Sequence, residues 1–165
     1  MTRSSPSPTA GHPAASHGAS LPDRHASLGA LLRRPYEDMS CWLYAELAAM
    51  GYEEVRPAHS SVLRNLSPDG SRVTDLAARA GMTKQSMAYL VDQLVAAGLV
   101  AVGADPADGR AKQVRFTARG TEVVAAALRL SAEYERALAA RIGARKLQQL
   151  RALLIEIQAP GASMG

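Results

Sequence analysis

The chain has 165 residues, 47% of them hydrophobic and 4% aromatic, and a formal net charge of +4. That length and apolar fraction support one compact unit, or one subunit of an assembly, with an aliphatic, alanine-rich core, and they exclude a disordered chain. Nineteen Lys and Arg against fifteen Asp and Glu favour a polyanionic partner only weakly. The single cysteine, Cys41, rules out an intramolecular disulfide and a cysteine-based zinc cluster. No apolar run approaches a membrane span and the first residues lack a signal-peptide core, so a cytoplasmic location without a membrane partner is expected.

Residues 1–27 hold six Ser, four Pro and two Gly, and too few large apolar groups to offset the entropy of ordering, which predicts a disordered tail. His12, His17 and His25 are irregularly spaced there and read as solvated side chains rather than metal ligands. Helical packing begins at Leu28, with Leu31 and Leu32 on the same face. Pro35 either starts a new helix or kinks a continuous one. Tyr36, Met39, Leu43, Leu47 and Met50 repeat along one side, and Gly51 ends the element. Pro57 fits the first turn of another helix that buries Val62, Leu63 and Leu66, and Ser67–Gly70 reads as a turn.

The stretch from Ser71 to Thr117 carries the strongest signal. Thr74 is placed to cap a short helix burying Leu76, Ala77 and Ala80. Gly81 supplies a tight turn, and Thr83 caps the next helix. That helix buries Met87, Leu90, Val91 and Leu94 at helical spacing. Gln85, Ser86, Ala88, Tyr89, Asp92 and Gln93 fall on its other face, with Lys84 on the flank. Such a face is polar without the Glu/Lys pairs of a merely solvated helix, and short amides and hydroxyls at a helix N-terminus suit base edges in a major groove. A hairpin follows, with alternation at Val100, Val102 and Ala104 and at Val114 and Phe116. Arg110 and Lys112 make its tip basic, suited to a minor groove. Alternatively, these charges only protect a solvated edge. Residues 68–117 hold six Lys/Arg against five Asp/Glu, so local arrangement rather than bulk charge carries the argument.

Thr117 is placed to cap a long helix reaching about Ile142, about 37 Å at 1.5 Å per residue. Val124, Leu128, Ser131, Tyr134, Leu138 and Ile142 line one face of it. After Gly143 a last helix carries a stripe of Leu147, Leu150, Leu154 and Ile157. A helix this long cannot bury its full apolar length on a small winged unit. The simplest cover is a second copy, and the alternative is a monomeric helical cap.

The run LAARAGMTKQSMAYLVDQLVAAGLV, the segment DPADGRAKQVRFTARG and the long helix after it resemble the MarR (multiple antibiotic resistance regulator) family of winged helix-turn-helix regulators over residues 28–158. The resemblance implies a mainly α fold with a small β-hairpin wing. It places N-terminal dimerisation helices at 28–55, the DNA-binding winged helix-turn-helix at 56–117 and C-terminal dimerisation helices at 118–165. It implies that Asp108 steadies the wing, that Arg110 enters a minor groove with Lys112 beside it, and that the helix of Thr83, Lys84, Gln85, Ser86 and Tyr89 reads a major groove. The expected protein is a homodimeric repressor bound to a roughly palindromic duplex and released by a small aromatic effector, with Trp42, Tyr52 and His59 as candidate pocket residues. Some members sense peroxide through a first-helix cysteine. Cys41 sits in a different register with no basic neighbour, so an inert, partly buried thiol is expected and redox sensing is the alternative. A second alternative is a winged helix used only for protein docking. No phosphate loop, nucleophile elbow, HExxH or paired carboxylates suggest an enzyme, and no cofactor or metal is expected.

Overall fold

The computed structural model describes residues 27–105 and 108–158, so the tail expected at residues 1–27 lies outside them except for Ser27, which belongs to the start of the first helix. Helix α1 spans Leu28–Ala49 without interruption and contains Pro35. Ser27 caps it, its hydroxyl accepting from the Ala30 N–H at 3.3 Å. A 3-10 turn, Pro57–His59, leads into the short helix α2, Ser60–Leu63, with Pro57 in the first turn where its missing N–H costs nothing. Helices α3, Val73–Ala80, and α4, Lys84–Ala96, pack on each other. Strands β1, Val100–Asp105, and β2, Asp108–Phe116, form an antiparallel hairpin with Val100 opposite Phe116 and Ala104 opposite Lys112. The 25-residue helix α5, Ala118–Ile142, and α6, Ala144–Gln158, complete the chain, with α5 packed on both α1 and α6.

One core joins these elements. Leu47 of α1 and Val55, Val62 and Leu66 of the following segment meet Leu76, Met87, Val91 and Leu94 of the helix pair. Leu99, Val100, Val114 and, on α5, Val123, Ala126 and Leu130 close the other side. Burial of the hairpin stops early. Val100 and Val114 are buried, but Val102 is 43% exposed although its alternation marks it as inward. Ser71 pairs with Val114 through two backbone hydrogen bonds of 3.0 and 2.8 Å and so flanks β2, whereas Val102, opposite Val114, lies on the outer strand β1.

The junction of hairpin and long helix is tightly specified. Thr117 caps α5 by accepting from the Gly120 N–H at 3.0 Å, and its hydroxyl also donates to the Gly98 and Leu99 carbonyls at 2.7 and 3.1 Å. A Cβ on Gly120 would overlap the Leu99 carbonyl oxygen. The Thr-x-x-Gly signature is therefore a packing requirement. Arg119, in the same turn, pairs with Glu54 and donates to the Gly51 carbonyl at 3.3 Å, which ties α5 to the end of α1. The hydrogen bond from Arg119 to Glu54 holds the Glu54 carboxyl below its ordinary value. The stability it contributes is present above the ordinary carboxylate range and is lost as pH falls through the lowered one.

Gly120→Ala makes the competing effects measurable. Helix propensity alone would stabilise the alanine variant by about 1 kcal/mol. Overlap with a backbone carbonyl should instead cost roughly 1–3 kcal/mol, so denaturant unfolding should show net destabilisation. A variant more stable than wild type would contradict the close approach.

Candidate nucleic-acid interface

The α3–α4 pair is a helix-turn-helix whose turn is set by Gly81, at φ 62°, a left-handed conformation that L side chains adopt only at a cost. Thr83 caps α4 as expected, accepting from the Ser86 N–H at 3.1 Å, and its hydroxyl also bonds the Ser86 hydroxyl at 2.9 Å. Thr74 does not cap α3. Arg72 occupies the position before the helix, and Thr74 lies inside the first turn with its hydroxyl 3.5 Å from the Asp75 carboxylate. The chain leaves its bridge with Val114 at Ser71 and so enters the helix two residues sooner than the cap rule suggests.

Met87, Leu90, Val91 and Leu94 of α4 are buried, which turns Thr83, Lys84, Gln85, Ser86 and Tyr89 outward; Tyr89 is 64% exposed. A shallow groove bordered by Ala58, Ser61 and Met82 runs alongside Gln85, Ser86 and Tyr89. Gln93, read from spacing as part of the outward face, is turned inward. Its side-chain oxygen accepts from Nε2 of His59 at 2.9 Å.

The wing is fastened to the start of α3 by an arginine that sequence inspection passes over. Arg72 donates through Nε to Asp105 at 2.8 Å, and its terminal nitrogen reaches Asp105 at 2.8 Å and Asp108 at 3.3 Å. The planar fork can hold carboxylates on both strands at once, which a lysine point charge cannot. Asp108 therefore sits where a wing-steadying residue belongs, and Asp105, largely buried, shares that position. Lys112 is exposed on β2. Arg110 belongs to β2 by its backbone, and its side chain lies outside the described residues. On the other flank of α3, Arg79 donates to the Asn65 carbonyl at 2.7 Å and to the Ser67 and Ser71 hydroxyls, each at 3.2 Å, pinning the preceding loop.

Trp42, Tyr52 and His59 each have a different partner, and none of them lines the cavity between α1, α2 and α5. The Trp42 ring lies 5.4 Å from that of Tyr134, Tyr52 lies under the Arg119 guanidinium at 5.4 Å, and His59 is buried against α4. That cavity measures about 490 Å³. Leu43, Leu47, Leu63, Val123 and Val124 make most of it apolar, and Tyr36, Tyr44, Ser40, Ser60, Ser131 and Arg64 supply its polar groups. Burial raises the Tyr44 phenol above its ordinary value, with Ser60 opposing the shift, so Tyr44 is a neutral hydroxyl. Cys41, expected to be partly buried, is exposed on α1, while its neighbours Trp42 and Leu43 and the core residue Leu47 take the packed positions. Among the described residues, no helix is long and apolar enough to cross a membrane and no group of three His, Cys, Asp or Glu could hold a metal ion.

A short helix, a glycine turn, a capped second helix with a polar outer face and a clamped hairpin define a winged helix-turn-helix. Residues 55–111 match the sequence model of the MarR family. CouR from Rhodococcus jostii RHA1 bound to p-coumaroyl-CoA is 28% identical over 82% of this chain and 94% of that one, with a TM-score of 0.63. The transcriptional repressor CouR bound to a 23-mer DNA duplex is 26% identical over 81% and 93% of the two chains, with a TM-score of 0.66. The reduced form of MarR from E. coli is 20% identical over 81% and 97%, with a TM-score of 0.69, and shares the fold. No curated protein matches the sequence. Residues 55–111 thus match the MarR-family model, and the chain as a whole shares the fold of solved regulators of that family.

Removing the clamp should free the wing without unfolding the protein. Arg72→Ala is expected to leave the global fold intact, because the guanidinium is half exposed and screened. Amide exchange in residues 100–116 should nevertheless accelerate, and Arg72→Lys should recover only part of the protection. Unchanged exchange in the alanine variant would show that the wing is held by something else.

Proposed function

We propose that the chain is a sequence-specific double-stranded DNA-binding transcription regulator, acting in the cytoplasm as a homodimeric repressor released by a small molecule. The observation that carries this reading is the outer face of α4. Gln85, Ser86 and Tyr89 stand free of the core on a helix capped at Thr83, beside a wing clamped at Arg72 and bearing Lys112. A glutamine amide suits the paired donor and acceptor of adenine, and a basic ribbon beside the reading helix suits the negative potential of a minor groove. The DNA-bound form of CouR supports a duplex as partner. A docking module would instead carry an apolar or acidic outer face there.

Exposed Leu28, Leu31 and Leu32 at one end of the chain and Leu150, Leu153, Ile155 and Ile157 at the other favour a second copy as their cover. Two copies would set two equal reading helices on a roughly palindromic operator, with half-sites about 34–36 Å apart. The cavity between α1, α2 and α5 is the favoured effector site. It lies where the long helices meet the winged unit, so a ligand that binds one spacing of the reading helices better than another would shift DNA affinity. Its apolar walls with a few hydroxyls and Arg64 at hand suit an aromatic molecule with an acidic or phenolic end. The p-coumaroyl-CoA complex of CouR supports a small-molecule effector in general.

Three substitutions test the DNA reading. Arg110→Ala should weaken duplex binding and leave the fold intact. Lys112→Ala should lower the slope of log affinity against log salt by about one. Gln85→Ala should change sequence preference, with discrimination at one base pair falling by about 1–3 kcal/mol. Equal weakening of all duplexes by Gln85→Ala would remove its reading role.

The exposure of Cys41 favours a second reading, thiol-based redox control, over the inert thiol expected from its neighbours. Ligand control predicts that peroxide leaves DNA binding of wild type and Cys41→Ser alike. Loss of binding in wild type alone would select the redox reading.

A further inference from the structure

His59 is the one buried histidine among the described residues, at 3% exposure, and both of its ring nitrogens are engaged. The Arg56 N–H donates to Nδ1 at 3.2 Å. A backbone N–H has no other role than donor, so Nδ1 carries the lone pair and Nε2 carries the hydrogen, which it gives to the Gln93 side-chain oxygen at 2.9 Å. The imidazole thus links the chain entering α2 with the helix that presents the reading face. Gln93 completes an i, i+4 row with Gln85 and Tyr89, so one end of this row faces outward and the other is fastened to His59. Ala58 and Ser61, on either side of the histidine, border the same groove as Gln85 and Tyr89.

We propose that His59 is a positioning residue for the reading helix that works only as a neutral imidazole, so that its protonation lowers affinity for DNA. The inference rests on the DNA-binding reading of α4. A protonated ring has two donors and no acceptor. Its Nδ1 then confronts the Arg56 N–H donor to donor, inside the fold and away from water. The clamp opens, α4 samples orientations that do not match a groove, and apparent affinity falls by the fraction of molecules left competent. DNA and the proton then compete, each weakening the other by the same factor. The elements packed on the 3-10 turn carry Glu46 on α1, Arg64 after α2, and Lys84 and Asp92 on α4, with Arg56 preceding it. None of these side chains has a hydrogen bond or ion pair to the ring. The sign is diagnostic, because generic protonation adds positive charge and tightens binding to a polyanion.

The test is the affinity of the intact protein for a specific duplex, at constant salt, from about pH 7.5 down to about pH 5.5. Wild type should lose affinity as the pH falls, and His59→Asn, which keeps an acceptor for the Arg56 N–H but has no ring to protonate, should lose none. Gln93→Leu serves if that variant folds poorly: it removes the far end of the clamp, so its affinity should already be reduced at neutral pH and its acid loss should shrink. Parallel profiles for wild type and the variants would overturn the proposal. Ring nitrogen NMR of the DNA-free protein separates this failure from failure of the DNA reading. A ring held as the Nε2–H tautomer at neutral pH that releases the Arg56 amide to exchange on acidification supports the clamp even if no duplex binds. A ring in the opposite tautomer overturns it.

Discussion

Leu99 is the point on which the geometry of the winged unit depends. Its N–H bonds the Leu94 carbonyl at 2.9 Å and closes α4, while β1 begins at the next residue. Its carbonyl accepts from the Thr117 N–H and hydroxyl, both at 3.1 Å, and so fixes the start of α5. Its side chain is fully buried in the core. Helix α4, the wing and the long helix therefore radiate from one peptide unit, and Gly120 is small because α5 must start against that carbonyl. Any force that tilts α5 is transmitted to α4 and the wing through hydrogen bonds rather than through a deformable loop. That is the mechanical requirement for coupling a site among the long helices to a site at the DNA.

The rest of the interface is held by contacts from outside the helix-turn-helix. Arg72 ties both wing strands to the start of α3, Arg79 pins the loop before it, and His59 fastens α4 from behind. In consequence, the outward residues of α4 are spared structural duty. Gln85, Ser86 and Tyr89 can vary in identity without disturbing the core.

What was legible in the sequence follows the range of the interaction. The Thr83 cap, the Gly81 turn and the Met87–Leu94 face depend on neighbours within a turn or two, and spacing identifies them. The Thr117–Gly120 pair was visible as a signature, but its cause, the Leu99 carbonyl, lies about twenty residues earlier in the chain and became visible only in space. Arg72 and its two aspartates are separated by 33 and 36 residues, and His59 and Gln93 by 34, so no local rule pairs them. Spacing also placed Gln93 on the outer face, because the helix period says which residues share a side and not where that side ends. Val102 shows the same limit for the hairpin: alternation marks a face, but Val102 lies on the outer strand opposite the buried Val114 and stays 43% exposed.

The central claim is that this fold presents two copies of α4 and the wing to one stretch of duplex. Hydroxyl-radical footprinting of the intact protein on the DNA upstream of its own gene tests it most directly. The account predicts two protected blocks on one face of the duplex, about 34–36 Å apart, flanked by minor-groove protection where the wings reach. A single block, or protection no stronger than on an unrelated duplex at the same salt, would contradict it.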